Sequence, residues 1–108
     1  MGTIVYGARQ TEVTFDDRTL AHLQVVFSVK LRRRESFLFS WRGRTGNRNA
    51  LWIDPSIPLY FLYEGSRQPA LNPRWLEEMS IAAGSVQGLV LGVEPAHDRS
   101  GSADDAVM

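Results

Sequence analysis

The chain contains no cysteine, which excludes disulfide staples, thiolate zinc sites and thiol catalysis. It has one lysine, Lys30, and two histidines, His22 and His97. His22 falls one residue from an apolar helical stripe and His97 in a polar tail, so the two are poorly placed to share a metal ion, and no metal or other cofactor is expected. His22 itself reads as a surface or core-edge histidine. No apolar run approaches the roughly 20 residues that span a bilayer, so no membrane partner is expected. The opening residues Met1-Gly2-Thr3-Ile4-Val5-Tyr6 lack the basic start and apolar stretch of a secretory leader. A cysteine-free chain without such a leader fits a reducing, cytoplasmic setting.

What is present suits one small globular domain: 108 residues, 44% of them apolar and 22% charged. The net charge is zero, but the charges are unevenly placed. Through Val93, Lys30 and ten arginines outweigh eight acids; from Glu94 onward, Glu94, Asp98, Asp104 and Asp105 face only Arg99. The composition changes at the same point, to Ser, Gly, Asp and Ala. Residues 1–93 are therefore expected to form the compact domain and residues 94–108 a disordered acidic tail.

Two periodicities alternate along the body. Residues 3–6 and Thr11-Glu12-Val13-Thr14-Phe15 read as two strands of a hairpin. Asp16 or Asp17 offers an N-cap, and Leu20, Leu23, Phe27 and Leu31 recur at helical spacing across residues 17–33. Period two then returns, with Phe37, Phe39 and Trp41 on one face of a strand and Ser36, Leu38 and Ser40 on the other. A polar loop over residues 43–49 leads to a return strand at 50–53. Pro55 and Pro58 bracket a turn, and residues 58–64 form a third strand, apolar on both faces and expected to be central. Asn72 and Pro73 open a second helix with Trp75, Leu76, Met79 and Ala83 as its stripe, ended by Gly84 or Gly88. Residues 89–93 can add one more strand. The expected architecture is α+β, in the order β-β-α-β-β-β-α with that optional last β: a small mixed or antiparallel sheet with two helices on one face.

No residue set assembles a catalytic site. Asp16-Asp17 and Glu77-Glu78 are adjacent in sequence, so their carboxylates diverge and read as a helix start and a solvated face. Gly43-Arg44-Thr45-Gly46 has the form of a backbone-approaching Gly-x-x-Gly loop, but a loop joining two strands needs its glycines for the turn. The stronger signal is cationic. Lys30, Arg32, Arg33, Arg34, Arg42, Arg44 and Arg48 fall within 19 residues, opposed only by Glu35. If the helix end and the hairpin loop meet, these seven form one basic edge suited to nucleic-acid phosphates. Three of them also fall where cations complement a helix dipole. Seven of the 11 aromatics lie on the three central strands, and a sheet face left open by two helices could serve nucleic acid or a homodimer. Binding, to nucleic acid or to a second copy, is the expectation; an enzyme would need a deep pocket of perturbed acids or His22.

The segments Asp17-Arg18-Thr19-Leu20-Ala21-His22-Leu23, Lys30-Leu31-Arg32-Arg33, Glu35-Ser36-Phe37, Phe39-Ser40-Trp41, Pro55-Ser56-Ile57-Pro58-Leu59 and Arg67-Gln68-Pro69-Ala70-Leu71-Asn72 resemble a family of small actinobacterial proteins of unknown function, many of them labelled "ATP-dependent DNA ligase". The chain departs from that family at Arg34, where the family has Gly, and at Asp54, where it often has His. The label implies a link to DNA. It does not imply catalysis here, because a ligase nucleophile sits in a Lys-x-Asp-Gly setting, whereas Lys30 is followed by Leu31-Arg32-Arg33.

Overall fold

Alternating side chains turn Gly2, Ile4 and Tyr6 inward from the first strand, β1 (Gly2–Tyr6), which pairs antiparallel with β2 (Thr11–Phe15). The computed structural model describes residues 1–96. Asp16 then caps α1 (Asp17–Arg32), its carboxylate accepting from the Thr19 amide. Asp17 plays a different part. It accepts from the backbone amides of Glu64 and Gly65, tying a distant loop to the helix start. The remaining elements are β3 (Phe37–Arg42), β4 (Arg48–Ile53), β5 (Leu59–Leu62), α2 (Pro73–Ala83) and β6 (Leu89–Val90). Asn72 caps α2 through the Arg74 and Trp75 amides, and Pro73 takes the first helical turn.

The α+β class and the element order match the expectation, last strand included. The strands, however, divide between two three-stranded sheets instead of forming one: sheet A is β2-β1-β5, all antiparallel, and sheet B is β4-β3-β6, with β6 parallel to β3. The turn after β4 causes the division. The Asp54 carboxylate accepts from Ser36 Oγ, Ser56 Oγ and the Ser56 amide, and the Gly7 amide bonds the Pro58 carbonyl. The chain therefore leaves sheet B at Asp54 and enters sheet A beside β1. Strand β5 is consequently an edge, not the centre, and Tyr60 and Leu62 face solvent. Apolar residues on both faces did not mean burial of both.

The core lies between the sheets. Phe27 of α1 packs edge-on against Phe37 and Phe39 of sheet B and Phe61 of sheet A, at 5.0, 5.2 and 5.9 Å between centroids. Phe15 of β2 reaches Phe39 and Trp41 of β3 at 5.9 and 6.0 Å. Tyr6 adds a polar tie, donating to the Trp52 carbonyl and accepting from the Asp54 amide. Gly88 has φ +80°, and a Cβ there would run into the Leu38 backbone, so glycine is what lets β6 close on β3.

His22 is wholly buried, not at the surface or core edge. Its Nδ1 donates to the Arg18 carbonyl at 2.7 Å and its Nε2 accepts the Asn72 amide at 2.8 Å, with the ring tilted against Trp75. The same junction holds the end of the described chain. Glu94 takes both forks of Arg18 at 2.8 and 2.9 Å and accepts from Asn72, and the Pro95 carbonyl accepts from Asn72 as well. Glu94 and Pro95, assigned to the tail by composition, are thus packed against the body. The disorder expected of the rest of that tail, and His97 with it, lies outside the described residues.

Candidate functional site

The seven cations do not share one edge. Strand β3 separates them: Lys30, Arg32, Arg33 and Arg34 end α1 at its start, while Arg42, Arg44 and Arg48 gather at the hairpin, about 17 Å along the strand. The end of α1 and the hairpin loop therefore lie at opposite ends of β3.

The two groups also differ in their surroundings. Lys30 Nζ is paired with Glu35 at 2.8 Å. That hydrogen bond, with Arg33 nearby, holds the Glu35 carboxyl below its ordinary range. Asp54, held low first by the Ser56 hydroxyl, also feels Arg34. Arg32 lines a groove on the other side of α1. Arg34 has a further constraint: it sits at φ +61°, with its amide on the Leu31 carbonyl and the Glu35 amide on the Lys30 carbonyl. That pair of bonds is the Schellman ending, whose left-handed seat favours glycine. Arg34 is therefore the helix stop as well as a charge.

No acidic side chain pairs with Arg42, Arg44 or Arg48 among the described residues. Strand β4 begins at Arg48, not after the loop, so Arg48 stands directly across from Arg42 on the same face. Like charges in that position cost stability. Arg42 Nη1 finds partial relief on the Gly46 carbonyl at 3.1 Å.

The rest of that face follows from the register. Ser40 lies across from Ala50 on one side and Val90 on the other, and Leu38 lies across from Trp52. Their neighbours Phe37, Phe39 and Ile53 turn inward. The outer face of sheet B thus carries Leu38, Ser40, Ala50 and a 57% exposed Val90, with a 57% exposed Trp52 at one end and two arginines at the other. Trp52 and Arg48 are four residues apart on one strand, about 13 Å. Beside Trp52 a cleft of about 380 Å³ opens between Ser36, Leu38 and the Gly84–Gly88 turn. Trp52 is the exposed aromatic of this face, and the count of charges does not point to it. Its signal was parity: it shares a face with Ala50 and Arg48 and opposes Leu51 and Ile53.

Among the described residues, no three side chains of His, Asp or Glu come together as a metal-binding group. No helix there is long and apolar enough to cross a membrane.

By fold and site this is a two-sheet α+β domain with a cationic, tryptophan-bearing outer face on one sheet. The chain belongs to the family described as Domain of unknown function (DUF7882), which matches residues 1–94. No curated protein and no solved structure matches it.

Proposed function

We propose that the chain is a non-catalytic module that binds single-stranded nucleic acid on the outer face of sheet B. The observation that carries this reading is Trp52, exposed at one end of a sheet face that ends in the directly opposed Arg42 and Arg48. An exposed ring stacks a base, and the guanidinium pair takes phosphate. A phosphate between the two arginines also relieves their repulsion. Arg44, in the adjacent loop, extends the phosphate contact; Lys30, Arg33 and Arg34, already facing Glu35 and Asp54, contribute less. A DNA link of the kind the ligase label implies is met by binding alone, since Lys30 is occupied by Glu35 rather than set as a nucleophile.

Anisotropy titrations at low salt with labelled single-stranded and duplex DNA and single-stranded RNA test the reading. Single strands should bind best, and Trp52→Ala and Arg48→Glu should each weaken them. Equal binding by both variants removes the proposal.

A second reading is supported by the other sheet. On the outer face of sheet A, Tyr60 and Leu62 are 59% and 51% exposed beside Val5, Thr3 and Thr14, with Glu12 as the one charge. Such a largely apolar face suits a homodimer. Light scattering over a hundredfold range of concentration decides it: a constant monomer mass ends this reading and leaves the first untouched.

A further inference from the structure

A groove of about 470 Å³ runs along the solvent side of α1, a size within the range of small-molecule sites. Its floor is the stripe Ala21, Val25 and Val29, at successive helical turns. Val25 and Val29 are 36% and 43% exposed, although β-branched apolar residues gain nothing on a solvated helix face. The opposite wall is the loop from Gly65 to Pro69. That wall is built, not draped. Asp17 holds the Glu64 and Gly65 amides at its near end, Arg18 Nη1 donates to the Ala70 carbonyl at 2.6 Å at its far end, and Tyr63 Oη donates to Gln24 at 2.6 Å across the groove. Arg32 and Arg67 both line the space, and neither forms an ion pair among the described residues. Of the carbonyls ending α1, those of Lys30 and Leu31 are already engaged by the amides of Arg33, Arg34 and Glu35.

We infer that this groove binds a small amphiphilic anion, with its apolar body over Val25 and Val29 and its carboxylate or phosphate head on Arg32 and Arg67. Ala21 to Arg32 spans about 16 Å of helix, room for a chain of about eight carbons. The proposal is independent of sheet B, whose outer face shares no residue with the groove.

Heteronuclear NMR of the full chain with octanoate, octyl phosphate and octanol tests it. Saturable shifts of the Val25 and Val29 methyls are expected with octanoate or octyl phosphate, and the tighter of the two identifies the head. Octanol should bind about ten-fold more weakly or not at all, and Arg32→Gln with Arg67→Gln should reduce the anions to the level of octanol. Val29→Asp should abolish binding while leaving the remaining spectrum in place, which separates loss of the groove from loss of the fold. Octanol binding as tightly as octanoate, shifts centred elsewhere, no shifts at all, or an unaffected arginine double variant would each overturn the proposal.

Discussion

The outer faces of the two sheets are built from the same strand geometry and present opposite chemistry. Sheet A shows Val5, Tyr60, Leu62 and threonines with one carboxylate; sheet B shows Trp52, Ala50 and Ser40 running into Arg42 and Arg48. Exposed apolar area on the first asks for another apolar surface. Unneutralised charge beside a single exposed ring on the second asks for a polyanion with flat faces. Aromatic content did not separate the two; the position of charge relative to the ring did.

The most damaging way to break the comparison is at the ring both faces depend on from behind. Phe39→Ala should cost about 3–5 kcal/mol in urea unfolding, because Phe39 is wholly buried between Phe15 and Phe27, and both faces should be lost together. Next, Trp52→Ala should weaken single-stranded DNA by about ten-fold or more in anisotropy, while Tyr60→Ser with Leu62→Ser leaves that affinity unchanged. Arg34→Gly should raise stability by up to about 1 kcal/mol in thermal unfolding, since Arg34 occupies a left-handed seat. Its effect on DNA should be small if the helix-end cations lie off the binding face. Arg48→Glu sets stability against function. It should add about 0.5 kcal/mol by turning a repulsive cross-strand pair attractive, and lower DNA affinity all the same.

One further effect concerns neither face. Arg18, then Asn72, hold the Glu94 carboxyl down to about 2, from an ordinary 4.5. A depressed carboxyl adds stability above its unfolded pKa and loses it as pH falls toward the folded one. The stability gap between the native chain and Glu94→Gln should therefore be level above pH 5 and close between about 4.5 and 2, as read by urea unfolding across pH. DNA binding at neutral pH should not notice the change.

Much of the frame was legible from residues alone. Asn72-Pro73 opened α2, Asp16 capped α1, and the parity of Phe37, Phe39 and Trp41 set which face of β3 is buried. These are local signals, each decided within one or two turns of chain. Less legible was His22. A helical wheel places it beside the stripe, but its burial depends on the amide of Asn72, 50 residues away. The cations are a similar case: Arg42 and Arg48 stand across from each other with Arg44 in the loop between them, and β3 carries that hairpin away from the end of α1.

By itself the sequence determined the class, the order of elements, the inward and outward sides of β2 and β3, and the excess of arginine in the body, since periodicity, capping and charge are properties of neighbouring residues. Only the tertiary structure decided that the six strands of the described residues make two sheets, that β5 is an edge, and that one outer face is cationic while the other is largely apolar. Those facts rest on which strand each edge finds. That choice was made by the turn at Asp54 and by Phe27 and Phe39, whose rings need a layer on both sides.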